Sequence, residues 1–146
     1  MEVKIKKLSE NAIIPTRGSD QAAGYDLYAC LSSAVVQIMP QTNQMISTGL
    51  SIEIPEGYFG AIFARSGLAS KKGLRPANCV GVIDSDYRGE IKVCLYNDNS
   101  IVNTIVSGER IAQLVLLPYE PIDFVEANEL NETDRGDGGF GSTGTK

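Results

Sequence analysis

Hydrophobic positions alternate along much of this chain with a period of two. Val3 and Ile5 are interleaved with lysines, residues 51–54 (SIEI) alternate, and residues 90–96 (EIKVCLY) set Ile91, Val93 and Leu95 on one face. Successive side chains of an extended strand point to opposite sides, so this spacing predicts strands that turn one face to a core. Further strands are expected at 35–39, 58–64, 80–83, 101–106, 110–117 and 122–125. The prolines at 15, 40, 55, 76, 118 and 121 fall at the margins of these runs, where few ladder hydrogen bonds are lost. Residues 66–72 could form a helical turn or two, and no longer amphipathic helix is expected. Many short strands separated by turn residues predict an all-β domain of sandwich or barrel-like form.

The chain has 146 residues, 42% of them hydrophobic, which suits one core and one domain. Thirteen Lys and Arg against eighteen Asp and Glu give a formal charge of −5, which argues against direct nucleic-acid binding through bulk charge and leaves a small anionic ligand open. Histidine is absent, so the usual neutral-pH base and the Ser-His-Asp triad are excluded and proton transfer falls mainly to carboxylates. Cys30, Cys79 and Cys94 form no C-x-x-C and read as reduced core residues. The first eight residues (MEVKIKKL) lack an apolar signal region and no run reaches the length of a membrane span, so a cytoplasmic protein with no membrane partner is expected. Residues 136–146 hold five glycines and one aromatic, Phe140. Such a segment buries too little to order itself, and it is expected to be a mobile arm, 135–146, appended to a domain of residues 1–134.

Residues 78–92 (NCVGVIDSDYRGEIK) concentrate polar chemistry. The apolar run 80–83 ends on Asp84, and residues 86–89 place Asp first and Gly fourth, as a type I turn prefers, before the strand that Glu90 opens. A β-hairpin is expected here. Asp86 reads as a turn residue bonding its own backbone. Asp84 follows a run that should be buried, where an ionised carboxylate is costly unless paired or working, although a surface aspartate at a strand end fits equally well. Gln113 interrupts the apolar run 111–117 (IAQLVLL), so its amide either ties a neighbouring strand or reaches into a polar site. Asp26 lies between aromatic residues and reads as either a buried structural or a working carboxylate. After the strand 58–63, Ala64-Arg65-Ser66-Gly67 can offer a hydroxyl and backbone N–H groups to a phosphate. Gly136, Gly138 and Gly141 spell G-x-G-x-x-G, but no strand precedes and no helix follows, so that match is accidental.

Taken in order, residues 22–29 (AAGYDLYA), 65–69 (RSGLA), 81–90 (GVIDSDYRGE), 108–114 (GERIAQL) and 135–144 (RGDGGFGSTG) resemble the five motifs of the trimeric dUTPases, which hydrolyse dUTP to dUMP and pyrophosphate. The resemblance implies a jelly-roll-like β-sandwich or distorted barrel assembled as a homotrimer. Three sites would then lie at subunit interfaces, each closed by the Gly-rich arm of a neighbour. Asp84 resembles the general base that deprotonates the water attacking the α-phosphorus, and Asp26 the carboxylate that contacts water ligands of a magnesium ion, Mg2+, on the triphosphate. Ser66, Gly67 and Gln113 match phosphate contacts, with Arg65 heading the same motif. Arg135 resembles an arginine finger on the γ-phosphate, Gly141, Ser142 and Thr143 add donors beside it, and Phe140 resembles the aromatic that closes over uracil.

By the same resemblance, uracil would be read by backbone groups from Asn78 through Gly81, Val82 and Ile83 and by the return strand near Lys92, while Tyr87 packs beneath deoxyribose and leaves no room for a 2′-hydroxyl. Such an enzyme keeps uracil out of DNA and supplies dUMP for thymidylate synthesis. Two alternatives stay open at this point: a related trimeric dCTP deaminase, and a nucleotide-responsive binding protein with weak catalysis.

Overall fold

The structure is a computed structural model that describes residues 1–139. Among the described residues the chain forms twelve strands and one helix: β1 (Lys4–Lys7), β2 (Thr16–Arg17), β3 (Tyr25–Tyr28), β4 (Val35–Ile38), β5 (Asn43–Ser47), β6 (Leu50–Glu53), β7 (Tyr58–Phe63), α1 (Ser66–Lys72), β8 (Leu74–Pro76), β9 (Gly81–Ile83), β10 (Lys92–Asn97), β11 (Asn103–Val106) and β12 (Arg110–Pro118). The all-β expectation holds. Four antiparallel sheets enclose the core: β1-β6, β5-β10-β8, β11-β4 and the five-stranded β2-β3-β12-β7-β9. Among the described residues none of these sheets closes on itself as a barrel.

The period-two pattern explains which residues fill the interior. Ile91, Val93 and Leu95 alternate inward at 2% exposure or less, and they meet Leu27, Ile38, Ile46, Leu74, Ile105 and Ile111 from the other sheets. Burying each such side chain is worth about 1.5–3 kcal/mol, so this one cluster dominates the stability. Polar groups inside it are satisfied. The fully buried Asn97 donates to Ile38 O and Ile101 O, and its Oδ1 accepts from Asn99 N and Asn103 Nδ2, at 2.8–3.0 Å. Asn99 and Asn103 in turn donate to Lys72 O, which pins the C-terminal end of α1.

Three expectations are corrected. Residues 122–125 form no strand: Ile122, Phe124 and Val125 stand 68%, 92% and 86% exposed, so the apolar tail lacks a sheet to join within its own chain. The hairpin across 80–96 does not form, because β9 pairs with β7 whereas β10 pairs with β5 and β8. The turn between them lies two residues earlier, closed by Tyr87 N on Asp84 O at 3.2 Å, so Asp84 and not Asp86 opens it. Finally, only Cys30 and Cys94 are partly buried. Cys79 is exposed in a left-handed turn, φ 64°.

Candidate active site

β12 is the central strand of the large sheet, and a bulge in it arranges one half of the site. Its register against β3 steps from Arg110↔Tyr28 to Ala112↔Leu27, one extra residue on β12. Strict alternation would send Arg110 and Gln113 to opposite faces. The bulge resets the phase so that both fall on the face of Asp26, which pairs directly with Gln113. There Asp26 receives two guanidinium groups, Arg65 Nε on Oδ1 at 2.7 Å and Arg110 Nη1 on Oδ2 at 3.3 Å. The Asp26 side chain is 13% exposed, and its buried charge is compensated by the two guanidinium groups. The group carries one net positive charge.

Gln113 Nε2 donates to Ala64 O at 2.9 Å, which ties β12 to the end of β7. Its amide occupies space left by Gly24, where an added Cβ would clash with Oε1 and lie 3.1 Å from Cδ. Ser66 and Gly67 follow at the exposed start of α1, where no side-chain cap forms. Asp26, Arg65, Ser66, Gly67 and Gln113 are therefore gathered around the C-terminal end of β7.

The second half lies elsewhere. β9 runs antiparallel to β7 with Ile83 opposite Gly60 and Gly81 opposite Ile62, so Asp84 emerges toward the N-terminal end of β7. A cleft of about 320 Å³ opens there, walled by Met45, Val82, Ile83, Asp84, Tyr87, Glu90 and Lys92. Asp84 is exposed in the single chain: it ends an edge strand, β9, in which Val82 is 60% exposed and Ile83 packs against the core. Asn78 sits at the other end of β9, its Nδ2 3.6 Å from where a Cβ on Gly81 would lie.

Four residues along β7 and two strand spacings separate Gln113 from the position of Asp84, on the order of 15 Å. Arg135 is exposed, and its Nε donates to Gly138 O at 2.7 Å within the tail itself. Phe140, Gly141, Ser142 and Thr143 lie outside the described residues. Arg110 and Gly24 do not stand out in the sequence although both lie in stretches quoted above. A cation beside the apolar run 111–117 is the available signal for Arg110, whereas the role of Gly24 depends on cross-strand register.

The sequence matches the family model described as dUTPase over residues 10–144. It is 50% identical over 146 residues, covering all of both chains, to the deoxyuridine 5′-triphosphate nucleotidohydrolase of Hydrogenobaculum sp. (strain Y04AAS1). Among solved structures, the dUTPase of Staphylococcus bacteriophage 80alpha with dUPNHPP is similar at TM-score 0.89 and 31% identity, covering 98% of each chain. A mutant dUTPase of phage phi11 of S. aureus, described as coordinating a structural Mg(II) ion, superposes at TM-score 0.80 with 26% identity, covering 90% of this chain and 100% of that one. With ordered motifs on a matching all-β scaffold, the chain belongs to the dUTPase family.

Proposed function

We propose that this chain hydrolyses dUTP to dUMP and pyrophosphate in a homotrimer whose sites are each built from several chains. One observation carries the reading. The two groups of site residues stand at opposite ends of β7, on the order of 15 Å apart, whereas a base must reach its water within about 3 Å. A copy of the chain resolves the mismatch by placing Asp84 of one subunit against Arg65, Ser66, Gly67 and Gln113 of another. The exposed Ile122, Phe124, Val125 and Leu130 supply apolar surface for such an assembly.

In this mechanism the cleft beside β9 takes the nucleoside. β9 is the outermost strand of its sheet, so one row of its backbone groups is available to pair with uracil edge-on. A cytosine amino group would meet a donor there, and an unpaired buried group costs about 1–3 kcal/mol. Ser66 Oγ, the Gly67 N–H and the Gln113 amide donate to phosphate oxygens, with the net cationic Arg65–Asp26–Arg110 group behind them. Asp84 takes the proton of the water that attacks the α-phosphorus. Arg135 and the residues after it close the site, excluding water and strengthening every charge interaction inside.

The donor set fits magnesium held chiefly by the substrate. Among the described residues no three carboxylates or thiols gather as a ligand cluster, and both Asp26 oxygens are already engaged by arginine. Each oxygen keeps one lone pair, so Asp26 can accept from a metal-bound water without ligating the ion. Bound there, Mg2+ would neutralise charge growing on the pyrophosphate leaving group. Three free cysteines suit a reducing compartment such as the cytoplasm. Among the described residues no helix is long and apolar enough to cross a membrane.

Co-expression of two inactive variants tests the reading. Asp84→Asn removes the base, and Ser66→Glu puts a charge where a phosphate would sit. Mixed assemblies are expected to regain pyrophosphate release from dUTP, because some sites draw an unchanged Asp84 from the Ser66→Glu chain and an unchanged Ser66 from the Asp84→Asn chain. Mixtures that assemble as trimers yet stay inactive would overturn it.

A further inference from the structure

Gly89 follows Tyr87 by two positions in the loop between β9 and β10, and it has no structural reason of its own to be glycine: its φ is not in the left-handed region. What it meets is the tyrosine. A Cβ built on Gly89 would lie 2.5 Å from Tyr87 Cζ and 2.9 Å from Cε2, and would clash with the hydroxyl as well. The ring is folded back over the bare backbone of residue 89, and its hydroxyl donates to Glu90 O at 3.0 Å. Glu90 is itself anchored, since its Oε1 accepts from Gly49 N at 2.9 Å. The ring therefore has a seat on Gly89 and a tether to a fixed carbonyl, and it forms a wall of the cleft that holds Val82, Asp84 and Lys92.

We propose that Gly89 is a specificity-determining positioning residue: the missing Cβ sets how far the Tyr87 ring withdraws beneath the sugar, and so sets the choice of deoxyribo- over ribonucleotide. The proposal rests on the reading of the cleft as the nucleoside pocket. An alanine at 89 cannot share space with the ring. Tyr87 is 44% exposed and its tip is the mobile partner, so the ring moves and the backbone stays. Displaced from its seat, the ring no longer holds the wall it gives the cleft in the wild type, and the fit against a 2′-hydroxyl is lost.

Purified wild type, Gly89→Ala, Tyr87→Ala and the double variant, each checked for unchanged melting temperature and assembly, are compared by kcat/KM on dUTP and UTP. Gly89→Ala is expected to lower the dUTP-over-UTP preference about tenfold, and to change it no further on the Tyr87→Ala background. Tyr87→Phe, which keeps the ring and loses the tether, is expected to lower the preference by a smaller factor; this arm reads the ring's placement should Gly89→Ala misfold, and an unchanged preference there would overturn the proposal. A wild type that does not hydrolyse dUTP overturns the reading of the cleft and this proposal with it. An active, selective wild type whose Gly89→Ala variant stays equally selective overturns the role of Gly89 alone. An equal effect of Gly89→Ala with and without the Tyr87 ring also overturns it, since the glycine would then act through the backbone.

Discussion

Asp26 shows how one side chain can join three strands through paired charge. Its carboxylate joins β3 to the Arg65 that follows β7 and to Arg110 of β12, at 2.7 and 3.3 Å. Asp26→Asn would leave two guanidinium groups facing each other with no counter-charge, and removing one partner of a buried ion pair costs about 3–5 kcal/mol. Partial solvent access to both arginines puts the expected loss at or below the lower end, read as a fall in the urea midpoint. Gly24→Ala isolates the neighbouring function. The clash falls on the amide tip of Gln113, so the fold is expected to survive with an unchanged circular dichroism spectrum, while kcat/KM on dUTP drops tenfold or more as the amide leaves Ala64 O. At this scale the sequence exposes residue types well and relations poorly. Asp26, Asp84 and Gln113 stand out as polar groups against apolar runs. The service of Gly24 to Gln113 and of Gly89 to Tyr87 is a contact between backbones and side chains, which a string of residues does not display.

Among the elements, a strand with strict alternation and one core face is legible, as in β10, and β12 is legible as an apolar run. β5 was not, because only Ile46 of its five residues is buried and the rest read as a polar loop. β3 failed for the opposite reason: Asp26 and Leu27 are both buried, on opposite faces, so alternation vanishes. The hairpin expected around the turn 86–89 fails because nothing in its local sequence signals that β9 and β10 enter different sheets, since pairing partners are decided by tertiary packing. The amide network behind α1 offers a test at this level. Asn97→Ala orphans Ile38 O and Ile101 O in the core and releases the two amides that grip Lys72 O. Each orphaned group costs about 1–3 kcal/mol, so a loss of about 3 kcal/mol or more is expected in chemical denaturation. Faster amide hydrogen exchange in α1 should accompany it, and unchanged exchange would show that the network does not hold the helix.

For the whole molecule, the apolar tail and the divided site point the same way. Phe124 and Val125 are exposed in one chain, so replacing both with serine is expected to leave the melting of the core little changed while sedimentation shifts from trimer toward monomer. Removing residues 135–146 separates assembly from closure: the truncated protein should still sediment as a trimer and should release little pyrophosphate. The strand expected at 122–125 rested on apolar composition alone, and the segment pairs with no strand of its own chain.

On the proposed reading, β7 carries a nucleoside cleft at one end and a phosphate cradle at the other. A lone copy would then be two separated fragments of one machine, and turnover per chain should collapse on dilution below the dissociation constant, restored by nothing but more protein. The same stoichiometry makes the catalyst vulnerable to poisoning. One faulty copy incorporated into a ring of three would spoil more than its own share of the work, because its two ends serve two different neighbours.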